Sequence, residues 1–239
     1  MKFTVITVCR NEIDGIQRTI RSVCSQEFQN FEWVVIDGGS TDGTLDELLR
    51  AKSRISCLVS EKDEGIFNAM NKGLSLSHGE YVIFMNGGDS FYDENSMSLY
   101  EQNSGPDVIY GNLVFTGNED RLKKYPHHID RRHFLRKTLP HQASAVKREL
   151  LDRVGGFDES YKIAGDYDFF AKLFQSKQVT SVHIDHPLAK FDDSGISSQT
   201  KQRKIGRREN HRVRWSHVPE YRKSMKCWRH ILKRCVGLA

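Results

Sequence analysis

Several things are missing from this chain, and each absence removes a class of function. No stretch of its 239 residues approaches the roughly 20 apolar residues that a membrane-spanning helix needs. Met1 leads almost directly into a strand-like run, without the charged, apolar and small-residue succession of a secretory signal, so no export is expected. The five cysteines, Cys9, Cys24, Cys57, Cys227 and Cys235, are odd in number and lack paired metal-ligand spacing. They read as reduced thiols of a cytoplasmic protein. There is no internal repeat and no low-complexity linker. What is present, 38% hydrophobic and 28% charged residues, suits one ordinary globular domain plus an appendage.

Charge is unevenly placed. Residues 201–239 carry thirteen Lys or Arg against Glu209 and Glu220, a local balance of +11, so residues 1–200 carry −6. That contrast divides the chain into a body, 1–200, and a basic appendage, 201–239. An acidic body argues against a nucleic-acid partner, whereas the tail suits an anionic surface. From Tyr221 onward, apolar residues at 221, 225, 228, 232 and 235 alternate with basic ones. The pattern fits a helix lying on an anionic membrane, with the protein peripheral to the inner face of the plasma membrane. It fits equally a helix packed on the body with a solvated basic face.

Phe3–Val8 and Phe31–Ile36 are β-branched strands, and residues 13, 16, 20, 23 and 24 have the spacing of an amphipathic helix over Ile13–Cys24. Leu45–Ala51 predicts a second helix, with Thr44 or Ser40 as its cap. A short strand at Ile55–Ser60, a helix at Ile66–Leu76 and an apolar strand at Tyr81–Met85 follow. Strand and helix alternating in this way are the signature of a parallel α/β sheet. Later, strands are expected at Val108–Phe115, His141–Val146 and Val179–Ile184, with helices at Lys147–Val154 and Asp166–Phe174. Gly117–Tyr125 reads as a polar turn.

Two strand ends draw attention, because ligands bind beyond the carboxyl ends of parallel strands. Asp37–Gly38–Gly39–Ser40–Thr41–Asp42–Gly43–Thr44 puts a carboxylate and a glycine turn before a helix. Such a turn can offer a ring N–H its acceptor, or serve only as a tight capped connection. It is not a phosphate loop, since the closing Lys-Ser/Thr pair is absent. Asn86–Gly87–Gly88–Asp89 ends the most apolar strand, where Asp89 could hold a cation against a phosphate or sit in a solvated hairpin turn.

Thr4–Val8 with Asn11 and Glu12, Val34–Thr44, Ser60–Gly73, Met85–Asp89, and Gly155–Asp158 leading to Gly165–Asp168 stand in one order. Together they resemble family 2 glycosyltransferases over roughly residues 2–200, in particular those of bacterial polysaccharide biosynthesis. The resemblance implies a GT-A (nucleotide-diphospho-sugar transferase) fold, with a mostly parallel central sheet flanked by helices. It implies inverting, metal-dependent hexosyl transfer from a nucleotide sugar, UDP-linked, to a hydroxyl on a glycan or polyprenyl-linked acceptor. Thr7, Asn11, Glu12 and Asp37 would line the base and ribose pocket. Asp63, Lys72, Asn86 and His141, with its neighbour Gln142, would add donor contacts. Asp89 would anchor Mg²⁺ or Mn²⁺, and Asp166 would be the general base. Asp168 would pair elsewhere, His186 is a weaker metal candidate, and the loop 193–197 resembles a cover over the donor. The chain departs from the family pattern where Asn86, Gly88 and Gly165 stand in place of acids. Those losses leave open a nucleotide-sugar-binding protein with little or no transfer activity.

Overall fold

The computed structural model of the chain describes residues 1–117, 119–175, 178–192, 200–224 and 228. Four strands, β1 (Phe3–Cys9), β2 (Phe31–Asp37), β3 (Cys57–Ser60) and β4 (Tyr81–Phe84), form its first half. Helices α1 (Ile13–Cys24), α2 (Thr44–Arg50) and α3 (Ile66–Ser75) connect them. β1 and β2 are almost entirely buried, so their continuous apolar runs occupy the middle of a parallel sheet. The register pairs Cys9 with Asp37, Ile6 with Phe84 and Asp37 with Ser60. All four strands therefore finish along one edge, where loops 10–12, 38–43, 61–65 and 85–89 meet. The expected cap of α2 is corrected: neither Ser40 nor Thr44 caps it. Asp42 Oδ1 instead accepts the Thr44 N–H at 3.0 Å and its hydroxyl at 2.6 Å.

The second half adds β5 (Ser90–Phe91), β6 (Val108–Thr116), β7 (Arg121–Lys123), β8 (Ser144–Lys147) and β9 (Ser181–Asp192). The sheet order is β3-β2-β1-β4-β8-β6-β9-β5, with β7 paired to β6. β8 runs antiparallel to β4, matching Ile83 with Ala145. This reversal brings the start of β8 to the same edge, preceded by a single 3₁₀ turn at His141–Ala143. The strand expected over 141–146 thus begins only at Ser144. The expected polar turn at 117–125 contains β7, which is too short to show a two-residue period. β9 runs eight residues beyond its expected end. Its pairing of Ser90 with Lys190 brings Asp192 beside the turn that ends in Asp89.

Helices α4 (Ser96–Gln102), α5 (Arg148–Val154), α6 (Gly165–Leu173), α7 (Thr200–His217) and α8 (Pro219–Arg222) complete the described fold. α6 buries Tyr167, Phe169 and Phe170. α7, whose first residue coincides with the compositional boundary, packs on α6 and buries Val213. Its Glu209 carboxylate accepts the N–H groups of Lys162, Ile163 and Ala164, each at 2.9 Å, directly ahead of α6. Asp168 points to this interface, as expected, bonding His217 at 2.8 Å and Lys172 at 2.6 Å. Burial pushes its carboxyl up, but those hydrogen bonds prevail and hold it below the usual range. The cover loop at 193–197 and most of the amphipathic pattern after Tyr221 lie outside the described residues. No helix among the described residues is long and apolar enough to cross a membrane.

Candidate active site

The site is assembled at the carboxyl edge from two clusters of loops. In the first, Asp37 is completely buried. Its Oδ2 accepts the Ser40 N–H at 3.1 Å and the Ser60 hydroxyl at 2.6 Å, while Oδ1 accepts the Ser40 hydroxyl. Asn11, at φ +50°, accepts the Thr41 N–H at 2.9 Å through Oδ1 and donates its own N–H to Ser40 Oγ at 2.8 Å. Asp42 Oδ2 accepts the Ile13 N–H at 3.0 Å, tying the same turn to the start of α1. Asp63 leans over Gly38, where any β-carbon would collide with its Oδ2. Lys72 reaches back 2.7 Å to Glu61. Thr7 stands apart: its hydroxyl accepts the Trp33 indole N–H at 2.9 Å inside the core.

In the second cluster, Asn86 Nδ2 lies 3.1 Å from His141 Nε2, and His141 Nδ1 lies 3.7 Å from Asp166 Oδ2. Asp166 Oδ1 accepts the Tyr167 N–H at 2.7 Å, which leaves Oδ2 turned to the cleft. Asn86 Oδ1 is buried without a hydrogen-bond partner. Asp89 is only 5% exposed and accepts hydrogen bonds from the Gln142 side chain and the Asp192 N–H. Burial pushes its carboxyl up to about 7, against the opposing influence of His141.

Helix α1 holds this second loop. Thr19 Oγ1 accepts the Gly88 N–H at 3.0 Å and donates to the Asp89 carbonyl at 2.6 Å. Arg18 Nε donates to the Gly88 carbonyl at 3.0 Å, and its guanidinium pairs with Asp192. The Glu12 side chain lies against Gly87 with its stem and against Gly88 with its carboxylate. Burial and the neighbouring Asp192 push it up, while Arg18 opposes them. Arg18, Thr19 and Asp192 had no motif of their own in the sequence. They act across separations of about 70 residues or more, which no local pattern reports.

The arrangement offers a carboxylate at Asp166, a glycine-floored hollow at 86–89 and a turn cluster at 11–12, 37–43 and 63. Comparison with known proteins names it. A profile described as Glycosyl transferase family 2 matches residues 4–164. The chain belongs to this family. An uncharacterised glycosyltransferase of Mycobacterium tuberculosis is 30% identical over 214 residues, covering 82% of this chain and 76% of the relative. A PGL/p-HBAD biosynthesis glycosyltransferase of Mycobacterium bovis is 26% identical over 205 residues, covering 83% and 79%. Among solved structures, S. aureus TarS 1–349 in complex with UDP-GlcNAc superposes with a TM-score of 0.72 at 19% identity, covering 92% of this chain and 68% of that one. The mannosyltransferase PcManGT from Pyrobaculum calidifontis, in complex with GDP-Man and Mn²⁺, gives 0.61 at 22% identity, covering 80% and 56%. The fold is GT-A.

Two of this family 2 chain's departures have local causes. A β-carbon at Gly165 would sit 2.6 Å from the Phe67 ring, so the start of α6 can approach α3 only as glycine. Gly88 has φ +93° and faces the Glu12 carboxylate, so an acid there would be strained and repelled. The reduced acid set also bears on a cation. Among the described residues, no three His, Cys, Asp or Glu side chains converge on a metal position. His186 pairs with Asp93 at 3.3 Å, and His183 contacts Asn112 and His127. Asp89 and the unpartnered Asn86 Oδ1 remain. Two oxygens fit a cation that arrives with a diphosphate supplying most of its shell, and do not fit an ion caged by protein alone.

Proposed function

We propose that the chain transfers a hexose from a nucleotide sugar, UDP-linked, to an acceptor hydroxyl with inversion at the anomeric carbon. The observation that carries this reading is the Asp166 carboxylate, with Oδ2 uncommitted, beside the Asn86–His141 pair at the carboxyl edge of the sheet. Oδ2 takes the acceptor proton as the hydroxyl oxygen attacks opposite the leaving diphosphate. His141 Nδ1 stands 3.7 Å from that oxygen, at the side where the acceptor arrives. Gly87 and Gly88 leave room for the diphosphate, and Asp89 with Asn86 would hold Mg²⁺ or Mn²⁺. When bound, that cation supplies positive charge against the diphosphate as it leaves.

The nucleoside rests on the first cluster. Asn11, Glu12 and Asp63 border it, and Asp37 acts as a positioning residue through Ser40 and Ser60. Lys72 acts similarly through Glu61. The acceptor is a lipid-linked glycan of bacterial cell-surface polysaccharide synthesis. Two observations support that choice: Arg203, Lys204, Arg207 and Arg208 are exposed along α7 with Trp215, and the M. bovis relative is named for PGL/p-HBAD biosynthesis.

The test screens UDP-, GDP- and dTDP-sugars with Mn²⁺ by thermal shift, then follows product configuration by NMR. One nucleotide class should raise Tm, and the product anomer should be opposite to the donor. Retained configuration, or no donor that shifts Tm, overturns the reading. Stabilisation by a donor without nucleotide release would make the chain a nucleotide-sugar-binding protein.

A further inference from the structure

Between β7 and β8 the surface carries an open hollow of about 510 Å³ whose walls include Lys124, His128, Arg132, His133, Arg136 and Lys137. So many cations around one hollow repel one another unless something anionic enters. The one acid in the wall, Asp130, accepts the Arg132 and His133 backbone N–H groups at 2.8 and 3.3 Å and is a single carboxylate against Lys124, Arg132, Arg136 and Lys137. Lys124 has Asp185 at 3.7 Å. The side chains of Arg132, Arg136 and Lys137 have no hydrogen-bond or ion-pair partner among the described residues. His133 Nε2 is buried and also lacks a hydrogen-bond partner. Burial and the nearby Lys137 and Lys123 push this imidazole below its usual range.

The hollow is built against the helix that carries the base. The 3₁₀ turn Arg131–Leu135 inserts Phe134 into the core, 5.3 Å from the Phe174 ring. The Phe134 carbonyl accepts the hydroxyl of Tyr167, the residue after Asp166. Arg131 pairs with Glu220 of α8 and fixes the outer side of the turn. Tyr125, another wall residue, lies close enough to Asp166 to feel its charge, and Lys123 lies close to both Lys137 and Asp166. Asp166 thus has the Asn86–His141 pair as one neighbour and the rim of this basic hollow as another.

Resting on the transfer reading above, we infer that this hollow is the acceptor's anion subsite, taking a phosphate or diphosphate group while the acceptor hydroxyl meets Asp166. Guanidinium forks at Arg132 and Arg136 match phosphate oxygens in pairs, and Lys137 adds a point charge. The volume admits a diphosphate with part of the residue it carries. The two faces of Asp166 then divide the substrates, donor toward Asn86 and anionic acceptor toward Arg136.

Calorimetric titration of the whole chain with inorganic pyrophosphate and with geranyl diphosphate tests this assignment. The parent should bind both, and Arg136→Ala combined with Lys137→Ala should weaken both by about tenfold or more. Arg132→Gln, a milder change in another wall, should weaken them in the same direction. Asp89→Asn, in the donor hollow, should leave in place the pyrophosphate binding measured without divalent cation. Tighter binding of geranyl diphosphate than of pyrophosphate supports a lipid-linked acceptor, and equal binding supports the anion subsite alone. Pyrophosphate binding abolished by Asp89→Asn but kept by the double variant overturns the inference, as does a parent that binds no pyrophosphate at millimolar concentration. Nucleotide-sugar binding, measured on the same samples, judges the transfer reading separately.

Discussion

The two loop clusters at the carboxyl edge spend their polar atoms differently. Around Asp37 they bond to one another: both carboxylate oxygens meet serine donors, Asn11 Oδ1 meets Thr41, and Asp42 meets Ile13 and Thr44. Around Asp166 capacity is left over. Asn86 Oδ1 has no partner, His141 stands 3.7 Å from Asp166, and Asp89 is buried without any cationic side chain bonded to it. Buried polar atoms are almost always paired, so the first cluster is a finished template and the second is one that awaits a ligand.

The sharpest way to break this division is at Asp166. Asp166→Asn should lower kcat by about a thousandfold, since a positioned base contributes roughly 10²–10⁴. It should leave nucleotide binding intact and barely move Tm, because only the Tyr167 N–H bond and a loose His141 contact are at stake. A large loss of stability would move Asp166 into the finished cluster. Asp37→Ala should do the reverse. Three donors on half-buried Ser40 and exposed Ser60 lose a charged acceptor, and urea unfolding should show a loss of about 3 kcal/mol. A fully stable variant that had merely lost nucleotide selectivity would show that Asp37 contacts the base directly.

The same division explains what the residues disclose before folding. β1 to β4 and α1 to α3 follow from apolar runs and periodic stripes, and α1 occupies Ile13–Cys24 as its spacing predicts. β5 has two residues and β7 three, too few for any period, and α7 buries isolated residues such as Val213 among many charges. Within the candidate site, Asp37 ends a strand, Asp166 opens a helix and Asp89 follows a glycine pair, each in a recurrent motif that the residues disclose. The inward turn of Thr7 toward Trp33 is not disclosed, because which face of a central strand meets an indole depends on the neighbouring strand. Arg18 and Thr19 look like any helix residues until β4 brings Gly88 to them.

Asp89 sharpens the comparison through pH. Its carboxyl moves from an ordinary 3.8 to about 7. Between those values the folded chain keeps a proton that the unfolded chain has lost, so this group's contribution to stability declines as pH rises from about 4 to about 7. Asp89→Asn cannot ionise and removes that decline. The variant should match the parent near pH 4 and exceed it by about 4 kcal/mol at pH 8 in urea unfolding, while losing transfer activity. A variant less stable than the parent at pH 8 would mean that the ionised carboxylate is already satisfied, and Asp89 would belong with Asp37.

The smallest effect belongs to Asn11, which separates backbone shape from hydrogen bonding within the finished cluster. Its φ of +50° suits glycine or asparagine and strains other residues. Asn11→Gly keeps the conformation and loses only the bond from the Thr41 N–H, an exposed contact. It should cost about 1 kcal/mol at most. Asn11→Ala loses the same bond and also bears the strain of a left-handed β-carbon, so it should cost about 1 kcal/mol more than the glycine variant. If the two variants unfold at the same urea concentration, the turn relaxes out of its left-handed geometry. The first cluster would then be less of a template than its closed set of bonds implies, and the nucleoside would be shaping the loop that receives it.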